Sequence, residues 1–496
     1  MAPALLETEA AEGFATKAPL KPTAILHRTP WKPLVATSAE GSYVTLEDGR
    51  TLLDAVGGAA VACIGNGHPE VVQAIKAQVD KVSYVYNMQL SNEPAEELAR
   101  LLVNSGGGGF ELCGFVSGGS EAMEGVIKLG RQYYYETKQP QRKNFIARQL
   151  SFHGNTLGTL SLAFHKARRA PYETILDHEN FHHVSPAYAK RFKKPEETEE
   201  QYVERLRQEL EDKFLELGPD TVIGFVAETV VGATTGVVPP PKGYFKAMKS
   251  VCEKYGALFI LDEVMSGMGR LGTLHAWEQF GDNICPDIQA VAKGLGGGYA
   301  SIGAILMSKK VADGIRDSAG FWKHGHTYQV CHQLIQTALV HPLIATQQAH
   351  PLACAASLAV QKVIANENLL ANARTQGAYL SSLLHERLLS PNCIAAPYIF
   401  DIRGAGCWWG IEFDFESPSA PKVGFKGKSF AVLVQQRALD KDLIIMGMTG
   451  TAALDGSKGD AILLSPAYNI TKEQIDRIVD GFLETVEEVL RESFIQ

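Results

Sequence analysis

Ala257-Leu258-Phe259-Ile260-Leu261-Asp262-Glu263-Val264 is a short apolar run that closes on two acids. It is too short for a helix of ordinary length and reads as a buried strand. Asp287-Ile288-Gln289-Ala290-Val291-Ala292-Lys293-Gly294-Leu295-Gly296-Gly297-Gly298 follows as a second strand, ending in a lysine and a run of glycines. Similar segments lie at Leu112–Ser117, Asn144–Arg148, Thr221–Glu228 and Ile302–Met307, with helical stretches such as Glu121–Glu136 and Tyr244–Lys254 between several of them. Alternation of this kind implies an α/β fold: a mainly parallel sheet covered by helices on both faces. In such sheets ligands sit at the carboxyl ends of the strands, where the acids and the lysine fall.

Outward from that centre the pattern changes. Residues 1–35 read as a flexible N-terminal lead, and strand character follows at Ser42–Leu46 and Thr51–Asp54 around the turn Glu47-Asp48-Gly49-Arg50. Pro69 opens a helix with Val71, Ile75, Val79 and Val82 on one stripe. The charged segment Lys190–Leu217 reads as a solvated helix with a surface loop. A long helical pattern begins near Ala353, strand candidates lie at Asp401–Arg403 and Trp408–Phe413, and a last helix covers Lys472–Arg491. The expected organisation is a large domain over 69–350, with a smaller α+β domain assembled from both chain ends, 36–68 and 351–496.

Composition narrows the function classes. The 496 residues carry 47 Lys+Arg against 55 Asp+Glu, a net charge of −8, with no basic tract, which argues against nucleic acid as the partner. No apolar run approaches the ~18 residues of a membrane span. Glu7, Glu9 and Glu12 in the first twenty residues speak against a secretory or transit segment. The eight cysteines are dispersed, with no C-x-x-C pair, and read as reduced thiols in a cytoplasmic setting.

Four segments carry chemistry. Phe115-Val116-Ser117-Gly118-Gly119-Ser120-Glu121-Ala122 is a strand, a Gly-Gly-Ser turn and a helix start: either a phosphate cradle or an ordinary turn with a serine cap. Asp262 and Glu263 suit Mg²⁺ or a cationic ring nitrogen, or merely cap a loop. Lys293, just beyond a buried strand, is placed for desolvation, a lowered pKa and imine formation; a surface lysine is the plain alternative. In His324-Gly325-His326-Thr327-Tyr328 the Thr327 hydroxyl suits a phosphate, whereas no acid or cysteine shows convincing metal-ligand spacing, and no metal is expected. No G-x-G-x-x-G follows a first strand, so a dinucleotide site is not indicated.

A phosphate cradle, an acid and an imine-forming lysine at strand ends are what pyridoxal phosphate chemistry uses. From about Pro30 onward the chain resembles the class III aminotransferases of the fold-type I pyridoxal phosphate enzymes, especially ω-amino-acid:pyruvate-like members. The resemblance rests on Phe115–Ala122, Ser151-Phe152-His153-Gly154-Asn155-Thr156, Ala227–Pro240, Leu261–Gly272, Pro286–Gly298 and His324–Gln329. It implies pyridoxal 5'-phosphate held by Lys293 as a Schiff base, with the same amine moving the substrate proton. It further implies Asp262 on the ring nitrogen, Val264 and Phe152 on the ring faces, and His153 among the cofactor-binding residues. Gly119 and Ser120 would hold the phosphate, Glu228 would lie near the substrate side, and Thr327 would reach the phosphate of the partner subunit in a homodimer. Phe152 stands where Tyr is commoner, and Thr229 follows Glu228 where Pro is usual.

The implied reaction is ping-pong transfer of an amino group from an amine or ω-amino acid donor to a keto acid or aldehyde acceptor. Decarboxylases and aminomutases share these motifs, and a catalytically impaired scaffold is a third reading. Many relatives bind the keto acid's carboxylate with a mobile Arg in the C-terminal domain. That place falls near Ile445-Met446-Gly447, which has no Arg. The expected donor therefore has its amino group away from the α position of a carboxylate, and the acceptor's carboxylate needs another cation. After Tyr328-Gln329 the family continues with a segment like Ala349–Ala355, but here Val330–Gln348 intervenes, 19 residues or 57 nucleotides. Val330-Cys331 is encodable as GTATGT, a common splice donor, and Gln348 as CAG, which fits an acceptor. A retained intron and a genuine excursion at the subunit interface are the two readings of this insert.

Overall fold

The structure is a computed structural model that describes residues 23–29, 31–86, 89–281, 283–325, 350–418 and 420–494. Its centre is a seven-stranded sheet of β1 (Leu112–Val116), β2 (Asn144–Arg148), β3 (Phe181–Val184), β4 (Val222–Glu228), β5 (Leu258–Asp262), β6 (Ile288–Val291) and β7 (Gly303–Met307). The spatial order is β1-β7-β6-β5-β4-β2-β3. All neighbours pair in parallel except around β7, which runs against both β1 and β6. The sequence expectation of a mainly parallel sheet agrees with this, but it omitted β3. Phe-His-His-Val is an edge strand paired only with β2, so it never needed the apolar run that marks the interior strands.

Both faces of the sheet are covered. The helix Gly119–Glu136 lays Ala122, Met123, Val126, Leu129 and Tyr133 on one face, against Val226, Leu258, Ile260 and Ile305. The other face packs Phe225, Phe259 and Leu261 under the helices Glu199–Leu217 and Tyr244–Lys254. The charged segment expected to be solvated is therefore only half so. Tyr202, Val203, Leu206, Leu210 and Phe214 of the helix Glu199–Leu217 are buried, and a Thr198–Gln201 capping box starts it. Most of its charges sit on the remaining face, with Glu211 the buried exception, which is why composition alone reads it as solvent-exposed.

The two chain ends share one core. Thr51–Asp54 lies in a sheet with Ala36–Glu40 and Tyr43–Leu46, and its open edge pairs in parallel with Leu443–Ile444. A second sheet joins Ile399–Ala405, Trp408–Phe413, Asp460–Leu464 and Met446–Thr449. Leu53, Cys63, Leu384, Ile411, Phe430, Val479 and Phe482 belong to the same apolar cluster, so residues from before 70 and after 380 bury one another. The helix Pro351–Asn366 bridges the cores, with Cys354 and Leu358 in the large one and Val360 and Ile364 in the small one. No helix among the described residues is long and apolar enough to cross a membrane.

Candidate active site

Register places the site. Across β4 and β5, Glu228 lies opposite Asp262, and across β5 and β6 Asp262 lies opposite Ala290, three residues before Lys293. Asp262 follows Leu258 and Ile260 in the two-residue alternation and faces the side covered by Gly119–Glu136. Glu263 falls on the other side. The two acids that close β5 therefore do different work, and among them only Asp262 reaches the cavity.

That cavity measures about 280 Å³ and opens at the carboxyl ends of the parallel strands. Gly119, Ser120, Phe152, His153, Glu228, Asp262, Val264 and Lys293 all line it. Thr327, the ninth expected residue, and the insert 330–348 lie outside the described residues. Ala300, Ser301 and Ile302 also line it, at the start of β7. They carry no ionisable group, and only an antiparallel strand returning beside β1 brings them there. Ser301 Oγ donates to the Ser117 carbonyl across that pairing, 2.5 Å.

Lys293 follows β6 directly, with its backbone in the left-handed region at φ 42° and its carbonyl accepting from the N–H groups of Gly296 and Gly297 at 3.1 and 2.9 Å. Left-handed backbone at a non-glycine residue is costly and persists where its surroundings impose it. Burial pulls the Lys293 ammonium down to about 8; the carboxylates of Asp262 and Glu228 oppose the shift, and Arg270 and Arg168 add to it. Asp262 is 4% exposed, accepts from Val264 N–H at 3.0 Å, and lies 2.9 Å from His153 Nδ1. His153 Nε2 is buried without a partner among the described residues. Glu228 accepts from the N–H groups of Phe152 and Gly232 at 2.9 and 3.1 Å, and burial raises its pKa.

The Gly-Gly-Ser turn sits at the N-terminus of an eighteen-residue helix, whose first N–H groups have no intrahelical acceptor. A Cβ on Gly119 would stand 2.6 Å from Val264 Cγ1, so the glycine lets Val264 close over the turn. Ser120 Oγ accepts from Asn155 N–H at 3.1 Å, tying the cradle to the Phe152-His153-Gly154 loop. A phosphate, a cationic ring nitrogen and an aldehyde thus each meet a matching group: the helix N-terminus, a buried carboxylate and a desolvated amine. These residues fit pyridoxal phosphate.

The departures from the family pattern have local explanations. Thr229 N–H donates to the Asp262 carbonyl at 3.1 Å and its Oγ1 to Glu263 Oε1 at 2.8 Å; a proline supplies neither donor. Glu263 is fully buried and also accepts from Ala276 N–H, Trp277 N–H and Gln289 Nε2 at 2.8, 2.8 and 3.0 Å. Near Ile445-Met446-Gly447 the structure holds an apolar cluster, in which Met446 and Met448 pack with Val230, Met265 and Trp408.

The family model described as Aminotransferase class-III matches residues 26–486. An aminotransferase of Gibberella zeae is 43% identical over 92% of this chain and 84% of its own length. Gamma aminobutyrate transaminase 3, chloroplastic, of Solanum lycopersicum is 33% identical over 92% and 81%. Among solved structures, an omega transaminase from Pseudomonas jessenii in complex with PMP superposes with a TM-score of 0.81 at 28% identity, covering 93% of each chain. The chain belongs to the class III aminotransferases. It is a pyridoxal-phosphate-dependent transaminase of the fold-type I class, and amino-group transfer is favoured over decarboxylation or an internal amine shift.

Proposed function

We propose that Lys293 is the residue that carries the cofactor, and that the cavity around it transfers amino groups from amines or ω-amino acids to keto acids or aldehydes. One observation carries this reading: the Lys293 amine is desolvated, with its pKa drawn to about 8, beside the buried carboxylates of Asp262 and Glu228. An amine so shifted is uncharged about a tenth of the time at pH 7, far more often than an ordinary lysine, as both nucleophilic attack and proton shuttling require.

Bound pyridoxal phosphate supplies an aldehyde and an electron sink. The chain's own residues do the rest. Asp262, fixed by Val264 N–H and His153, holds a proton at the ring nitrogen. Val264 and Phe152 flank the ring, Gly119 and Ser120 bind the phosphate, and Lys293 Nζ moves the proton at the substrate's amine-bearing carbon. Glu228 shapes the substrate side. Thr327 completes the phosphate site of a second subunit in a homodimer. The donor's amino group is not α to a carboxylate: the segment Ile445-Met446-Gly447 carries no arginine, and Met446 and Met448 pack there in an apolar cluster with Trp408. Relatives named as gamma aminobutyrate and omega transaminases support the same class. A thiol-reducing compartment, the cytoplasm, fits the seven described cysteines, all free.

Borohydride reduction of the holoenzyme followed by peptide mapping tests the centre of this reading. The label is expected on Lys293; a label elsewhere, or none, overturns it. A panel pairing ω-amines and α-amino acids with pyruvate tests the donor class, and strict preference for α-amino acids refutes it.

A further inference from the structure

A keto acid brings a carboxylate into a site floored by buried residues, and that charge needs a partner. Among the described residues lining the cavity, Lys293 is the sole lysine or arginine, and it is committed to the chemistry. Three arginines stand nearby. Arg270 is fully buried and donates to the carbonyls of Ala60, Cys407, Ser465 and Pro466, which locks it in place. Arg169 is buried, donates to the Ala163 carbonyl and pairs with Glu173 at 3.4 Å. Arg168 differs. Its guanidinium carbon lies 5.0 Å from the centroid of the Phe152 ring, and Nη2 donates to the Ala233 carbonyl at 3.0 Å. Phe152 and Ala233 are both walls of the cavity. Among the described residues the Arg168 side chain has no carboxylate within ion-pair distance and no other hydrogen bond.

Building on the transaminase reading above, we propose that Arg168 is the specificity residue that binds the carboxylate of the keto-acid acceptor. The Phe152 face and the Ala233 carbonyl hold the guanidinium at the cavity rim, leaving donors for a planar carboxylate. Glu228 keeps Arg168 charged against the burial that lowers its pKa, while Arg28 and Lys293 repel it, so the site gains by admitting an anion. The phenyl ring of Phe152 also acquires a purpose: the guanidinium lies over it, and the hydroxyl commoner at this position would place another polar group at the same rim. An aldehyde acceptor has no carboxylate and makes no use of Arg168.

The test uses the holoenzyme and Arg168→Met, Arg168→Lys and, as an exposed neighbour, Lys166→Met. With Arg168→Met the KM for pyruvate is expected to rise about tenfold or more, the loss of a charge-assisted hydrogen bond, while the KM for butanal changes far less. Arg168→Lys is expected to recover part of the pyruvate KM, and Lys166→Met to behave as the parent. Calorimetric titration with propionate, an unreactive carboxylate, is expected to show a parallel fall in affinity. Equal changes for pyruvate and butanal, or an unchanged propionate affinity, overturn the proposal. A parent enzyme that transfers no amino group defeats the transaminase reading instead, and the propionate titration still decides the role of Arg168.

Discussion

Thr229 Oγ1 donates a 2.8 Å hydrogen bond to Glu263 Oε1, joining the residue after β4 to the residue after β5 beneath the cavity floor. Glu263 is buried on the face opposite Asp262, so the bond braces the strand end that carries Asp262. Thr229→Val keeps the shape and removes the donor. A loss of about 1–2 kcal/mol in stability is expected, read from denaturant unfolding.

Burial raises the Glu263 carboxyl to about 7, and the Thr229 bond is among the contacts that oppose this. A folded-state pKa above the unfolded one means that the folded chain holds the proton more tightly. The contribution is fully present below the unfolded value near 4.5 and is lost as pH rises through about 7. His275 and His183 have the opposite sign: burial lowers both to about 4, so their contribution is present above 6.5 and lost as pH falls toward 4. Each group is worth roughly 3 kcal/mol across its window. His183 and His275 therefore each oppose acidification from pH 6.5 to 4.5, and Glu263 favours it. Relative to wild type, His183→Asn is expected to lose less Tm, or gain more, on acidification from pH 6.5 to 4.5; a greater loss than wild type contradicts the assignment.

The contact between His153 Nδ1 and Asp262 Oδ2 separates two kinds of damage. Asp262→Asn removes the charge itself, and kcat is expected to drop about a hundredfold or more. His153→Phe leaves the charge but removes a partner, and the expected result is cofactor affinity about tenfold weaker with a smaller fall in kcat. Equilibrium dialysis of the cofactor against steady-state rates distinguishes the two.

Gly119 holds a fourth expectation. A methyl there would meet Val264 Cγ1 at 2.6 Å and push that side chain toward the space proposed for the ring. Gly119→Ala is expected to weaken cofactor binding about tenfold or more while the apo chain keeps its circular dichroism.

The insert at 330–348 is open to a direct measurement. A transcript read across codons 329–349 that lacks the 57 nucleotides supports a retained intron. A continuous transcript containing all 19 codons ends that idea, and the chain is then expected to load cofactor with the insert in place.

The site was legible in the sequence to the extent that it is made of strand ends. Asp262, Glu228 and Lys293 each close a buried run, and the parallel sheet sets those ends side by side. Ser301 and Ala300 were not legible, because they enter the cavity from the one strand that runs the other way. Arg168 gave no signal either: it stands in a short helix rich in basic residues, and only the folded loop shows that Arg169 is tied to Ala163 and Glu173 while Arg168 lies over Phe152. The separate fates of Asp262 and Glu263 follow from strand alternation, which the adjacent letters conceal.

The parallel pairing of Leu53–Asp54 with Leu443–Ile444 has a bearing on how the chain is made. A ribosome delivers the first of these strands long before the second. Until the later one emerges, the early hairpin keeps a bare edge and Leu53 lacks its burial, a state prone to sticking to other chains. Newly made protein is thus expected to depend on holding chaperones through most of synthesis, and messages truncated before codon 443 to yield insoluble product.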